Sequence, residues 1–133
     1  MIVLLDTHMW VWWLTPRSPL ARRDRGALDA LATSGGLRIA AISLWEAQML
    51  HRKGRLEVPF SFADWLEQAA DERAVRVLPL DTQVVLALDA LPKTFHGDPA
   101  DRLIVATAKA HSLPIATRDT AIRRTRIVPL WKA

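Results

Sequence analysis

The sequence predicts an α/β domain of three layers, α/β/α, with a central, mainly parallel sheet of about five strands. Short apolar runs alternate with longer stretches of helical periodicity, the grammar of repeated β-α units whose parallel strands are covered by helices. The chain has 133 residues, half of them hydrophobic. That suits one domain with a sizeable core and leaves little length for a second. Acidic residues recur where the apolar runs stop or a helix opens, which is where an open parallel sheet gathers its functional groups.

Strands are expected near residues 2–5, 37–41, 75–78, 114–117 and 126–130. The first run, Ile2 to Leu5, breaks at Asp6 and has no basic segment before it, so it reads as a buried strand rather than a signal peptide or membrane span. Asp6 can cap a helix starting near His8. Ser18-Pro19 looks like a cap followed by proline at the first helical position, with Ser34-Gly35-Gly36 ending that helix before the second strand. Ser43-Leu44-Trp45-Glu46 has the form of a capping box. Ser61 opens a helix through Trp65, Leu66 and Ala69 to about Arg73. Asp81 caps another with Val84, Val85, Leu88 and Leu91 at helical spacing. A loop over 92–99 delivers the chain to Asp98-Pro99-Ala100-Asp101, with Asp98 at the cap and Asp101 in the first turn, where the helix dipole favours negative charge. Asp119 follows the fourth strand and can cap a short helix over 120–124.

Lys and Arg number 18 against 14 Asp and Glu, a net charge of +4 that favours a polyanionic substrate or an acidic partner. Cysteine is absent, which excludes disulfides, thiolate zinc sites and a cysteine nucleophile, and fits a reducing cytoplasm. There is no nucleophile elbow, phosphate-binding glycine loop or dinucleotide fingerprint. Asp6 lacks a second Asp two positions on, against a haloacid-dehalogenase-type phosphatase, and the run from Ile39 to Ile42 leads to Ser43 instead of a phosphoacceptor Asp, against a receiver domain. His8, His51, His96 and His111 show no convergence of the kind metal-free acid-base cleavage needs; His51 and His111 read as helix-surface residues.

Each of Asp6, Glu46, Asp101 and Asp119 has a local explanation as a cap. Together they would need four caps to fall by coincidence at one sheet edge, where unpartnered carboxylates repel one another. A hard divalent cation relieves that repulsion, and a carboxylate set without cysteine or a paired-histidine motif suits Mg²⁺ better than zinc.

These residues also carry a resemblance. Leu5-Asp6-Thr7, Ser43 to Glu46, His96-Gly97-Asp98-Pro99-Ala100-Asp101-Arg102-Leu103-Ile104 continuing to Ala108, and Ala116-Thr117-Arg118-Asp119 are similar, in order and over nearly the whole chain, to the successive motifs of PIN-domain ribonucleases. Within them the chain most resembles the VapC toxins of bacterial toxin-antitoxin pairs; Lys53-Gly54-Arg55-Leu56 adds to the likeness. The resemblance implies a single PIN-like domain over 1–133, and an acidic site of Asp6, Glu46, Asp101 and Asp119 holding Mg²⁺ or Mn²⁺. Thr7 and Thr117 would be supporting hydroxyls. It implies hydrolysis of RNA, inhibition by a VapB-like protein antitoxin, and a homodimer. The rival readings are a non-catalytic RNA-binding or regulatory PIN module, against which the complete acidic set argues, and a structure-specific DNA nuclease.

Two basic clusters remain. Arg22, Arg23 and Arg25 read most simply as a solvated helix face. Arg118, Arg123, Arg124 and Arg126 adjoin Asp119, so Arg118, Arg123 and Arg124 are expected to form a phosphate-contacting rim; Arg102 serves either a phosphate or a neighbouring acid. Trp10, Trp12 and Trp13 fall within four residues, which predicts that at least one meets a partner or groove rather than the core.

Overall fold

A computed structural model describes residues 1–95 and 97–133. His96, which the sequence places in the loop motif, lies outside the described residues. The strands β1 (Val3–Leu5), β2 (Leu37–Ala40), β3 (Arg76–Leu78) and β4 (Ile115–Ala116) form one parallel sheet in the order β3-β2-β1-β4. The helices are α1 (Thr7–Trp13), α2 (Arg22–Thr33), α3 (Ala41–Arg52), α4 (Phe62–Ala69), α5 (Thr82–Asp89), α6 (Pro99–Ala110) and α7 (Thr120–Thr125). The expected fifth strand is reduced to a single parallel bridge between Ile115 and Leu130. Pro129 explains the brevity. Its carbonyl accepts the Ile115 N–H at 2.9 Å, but proline has no N–H to return to a ladder.

Alternation along β1 creates the three layers. Val3 and Leu5 belong to an apolar cluster with Leu37, Ile39 and Ala116, packed under α1, α2 and α4 through Trp10, Leu28, Trp65 and Ala69. Leu4 points the other way, into a cluster with Ala40, Leu78 and Ile115 beneath α5, α6 and α7 through Val84, Ile104, Val105 and Ile122. Strands covered on both faces lose the polar alternation of a half-exposed sheet. Val3, Leu4 and Leu5 are accordingly all inaccessible.

Several local expectations are met. Asp6, Ser61, Asp81, Asp98 and Asp119 each accept the backbone N–H three residues on, at the starts of α1, α4, α5, α6 and α7. Others are corrected. The second helix starts at Arg22, not beside Ser18-Pro19; Ser18 instead donates to the Trp12 carbonyl at 2.8 Å and accepts from Arg25 at 2.9 Å. Arg25 is therefore no solvated residue. Its guanidinium also meets the carbonyls of Trp12, Trp13 and Thr15 at 3.0, 2.5 and 2.9 Å, tying down the end of α1. The fourth helix stops at Ala69 rather than near Arg73. All three clustered tryptophans pack on the same apolar cluster, Trp10 fully buried and Trp12 and Trp13 in part. The exposed tryptophan is Trp45, 53% accessible.

Candidate active site

Sequential strands run outward from β1 through β2 to β3, while β4 pairs on the other side of β1. That reversal opens a crevice beyond the carboxyl ends of β1 and β4, the usual ligand position in an open α/β sheet. Asp6 leaves β1 there, and Thr117 and Asp119 leave β4. Asp6 is 5% exposed. One carboxylate oxygen accepts the Met9 N–H at 2.8 Å and the other accepts the Thr117 hydroxyl. Thr117 in turn accepts the Asp119 N–H at 3.0 Å, so a single hydroxyl locks two acids from different strands into one frame.

Glu46 reaches the crevice from α3. That helix begins at Ala41, directly after β2, so Ser43 lies inside its first turn and the expected capping box does not form. Ser43 is instead fully buried, with its hydroxyl 2.8 Å from that of Thr7, and Thr7 donates to Glu46. A shift of the helix start thus converts an apparent cap into a brace between α1 and α3. Asp101 is presented by the first turn of α6, where Asp98 holds its N–H at 2.7 Å. Gly97 permits this approach: a Cβ there would stand 2.6 Å from the Phe95 ring and 3.1 Å from the Asp101 Cβ.

The electrostatics point to convergence. Burial raises the Asp6 carboxyl above its usual range, offset by the Thr117 and Met9 hydrogen bonds, with Asp119 raising it further. Burial likewise raises Glu46, against the Thr7 hydrogen bond, with Asp98 and Asp6 adding to the rise. Asp101 is pushed up to about 7, first by desolvation and then by the charges of Asp98, Asp119, Glu46 and Asp6. All four predicted acids therefore share one field. Asp98, read from sequence mainly as a cap, contributes to it; its position three residues before Asp101 was the signal.

Among the described residues, no three His, Asp or Glu side chains are grouped so as to hold a metal ion between them. The donor set nonetheless fits Mg²⁺ or Mn²⁺. Mg²⁺ keeps several waters and needs only one or two carboxylates of its own, and mutual repulsion among oxygen donors is what such a charge relieves.

The basic residues divide. Arg118 and Arg123 line one hollow, which also contains Thr117. Arg124 lines another with Phe95 and Thr125. Arg102 donates to the Phe95 carbonyl at 2.9 Å and lies over the Phe95 ring, holding the loop that precedes α6. His51 is half-buried and stacked on Phe62 at 4.6 Å, not a simple surface residue, and its Nδ1 has no hydrogen-bond partner among the described residues.

With a parallel three-layer fold and an acidic crevice at its switch point, the architecture is that of a PIN domain. The PIN domain family profile matches residues 3–128, and the chain belongs to that family. It is 36% identical over 132 residues to Ribonuclease VapC22 of Mycobacterium tuberculosis, covering 97% of this chain and 98% of that protein. Among solved structures, it superposes on a chain of FitAcB from Neisseria gonorrhoeae with a TM-score of 0.68 at 26% identity, covering 98% of this chain and 97% of that one. VapBC2 from Rickettsia felis, bound to a DNA fragment from its promoter, gives 0.72 with 98% coverage of both chains. At 18% identity, that second likeness concerns the fold alone.

Proposed function

We propose that the chain is a metal-dependent endoribonuclease of the VapC type, the toxin of a toxin-antitoxin pair, acting as a homodimer on cellular RNA in the cytoplasm and neutralised by a VapB-like protein. The observation that carries this is the shared field of Asp6, Glu46, Asp101 and Asp119 at one crevice, each raised carboxyl feeling at least one of the others. The VapC ribonuclease relative, 36% identical over almost the whole of both chains, supports the RNA substrate. Among the described residues no helix is long and apolar enough to cross a membrane.

Asp6 and Asp101 would be the residues that hold Mg²⁺ or Mn²⁺, and Glu46 and Asp119 would assist in holding it or orient the nucleophile. The ion supplies charge neutralisation at the phosphate and a lowered pKa for water. Thr117 and the Met9 N–H hold Asp6 in a fixed rotamer, and Thr7, braced by Ser43, does the same for Glu46. Asp119 and Glu46 align a water for in-line attack on phosphorus: one of these carboxylates takes the water's proton as the new P–O bond forms, the opposite P–O bond to ribose breaks, and the departing ribose oxygen takes a proton from solvent. Arg118 and Arg123 hold neighbouring phosphates.

The test incubates purified protein with pooled tRNA, rRNA and mRNA in Mn²⁺ or in EDTA, beside Asp6→Asn and Asp101→Asn. Cleavage only in metal and only by the wild type is expected. Cutting that survives chelation or both substitutions would dismiss the metal mechanism. Growth arrest on expression, relieved by co-expressing the adjacent gene, tests the toxin role.

A further inference from the structure

Beside the acidic crevice lies a hollow of about 470 Å³ whose character is opposite. Four cations, Arg23, Arg118, Arg123 and Lys132, line it against one acid, Asp24, and Trp131 forms part of its wall. Two further lining residues, Met9 and Thr117, are the same two that hold the Asp6 carboxylate, so the hollow and the crevice share a wall. Its cations come from three places in the chain: the start of α2, the β4 exit with α7, and the last residues. Arg118 is steadied by the Pro19 carbonyl at 3.2 Å and Arg23 by the Ala133 backbone oxygen at 3.1 Å. Each of these is a single bond, leaving donors on both guanidiniums for a ligand. Neither forms an ion pair among the described residues.

We infer that this hollow is a subsite for the RNA nucleotide next to the cleaved bond, its phosphate held by Arg23 and Lys132 together with Arg118 and Arg123, and its base against Trp131. The inference rests on the ribonuclease reading and deepens it. Single-stranded RNA is recognised by aromatic faces and by cations that track the backbone. A strand crossing the shared wall passes from a surface that attracts its phosphate to one that, loaded with metal, attacks the next. None of Arg23, Trp131 and Lys132 belongs to a motif of the acidic site, and fold closure alone brings them there.

The test measures binding of a fluorescein-labelled oligouridylate by anisotropy across a salt series, in the uncleaving Asp101→Asn background with Mg²⁺. Removing one phosphate-binding cation should lower the steepness of log K against log salt by about 0.7 for a single strand. Arg23→Ala with Lys132→Ala should therefore lower it by about 1.4 by the same relation. Arg76→Ala, at the opposite end of the sheet, removes equal charge per residue and should leave the slope in place. Trp131→Ala should weaken binding without changing the slope, and Trp131→Phe should restore it, which separates stacking from damage to the fold. An unchanged slope in the double variant, or a parent protein that does not bind the oligonucleotide, overturns the subsite. RNA cleavage by the wild type with unaltered slopes would sink the subsite and leave the nuclease standing. Altered slopes without cleavage would sink the nuclease reading, and with it the subsite's place beside a cleaved bond, leaving only an RNA-binding hollow.

Discussion

Thr117 donates its hydroxyl to the carboxylate of Asp6, 111 residues earlier in the chain, and both side chains are buried. This contact joins the ends of β1 and β4 at the crevice and fixes the acid most enclosed by protein. Replacing Thr117 with Val keeps the volume and removes the donor. Outer-shell losses of this kind cost about 10- to 100-fold in metal affinity or activity. The unpaired oxygen should also cost about 1–3 kcal/mol of stability. Urea denaturation and initial rates in Mn²⁺ check both, and Thr117→Ser should recover them. A Val variant with wild-type kinetics would mean that Asp6 needs no such support.

The Asp101 carboxyl is displaced from 3.8 to about 7 in the folded chain. Between those values the native state binds more protons than the unfolded state, so the stability of metal-free protein falls as pH rises through that window and is greatest below it. Asp6 and Glu46, also raised, add in the same direction. Thermal midpoints in chelator should therefore decline from about pH 4 to about pH 7. Asp101→Asn or saturating Mg²⁺ should flatten the decline. Midpoints that climb over that interval would contradict the shared field.

Arg25 makes four hydrogen bonds to the segment at and after the end of α1. Arg25→Ala strands these acceptors and is expected to destabilise by about 1–3 kcal/mol. Arg25→Lys should rescue little, since an ammonium cannot reproduce the planar fork. Full rescue by Lys would show that charge alone matters there.

Trp10 is completely buried, and its indole N–H donates to the Ala69 carbonyl at 3.0 Å. Trp10→Ala should cost about 3–5 kcal/mol. Trp45→Ala, at an exposed position, should stay within about 0.5 kcal/mol in the isolated protomer. Chemical denaturation of the two variants side by side measures the contrast.

The fold class, the four main strands and the acidic positions were legible because parallel strands buried on both faces leave continuous apolar runs, and acids at their exits stand out against them. The start of α2 was not, because Ser18-Pro19 is an equally good turn, and only the distant Arg25 decides what Ser18 does. Ser43 misled for a related reason: a serine three residues before a glutamate has the same spelling whether it stands outside a helix or inside its first turn. The partition of Arg118 and Arg123 from Arg124 depends on how α7 is rotated, and the contribution of Arg23 and Lys132 on closure between chain segments about a hundred residues apart. Neither leaves a local trace.

Three of the crevice's aspartates, Asp6, Asp98 and Asp119, also begin helices with their side chains. Architecture alone would preserve a capping oxygen at these places, as aspartate or asparagine, in a descendant that had ceased to cut anything. Glu46 and Asp101 start no helix. They are the positions at which a retired nuclease would first show its change of occupation.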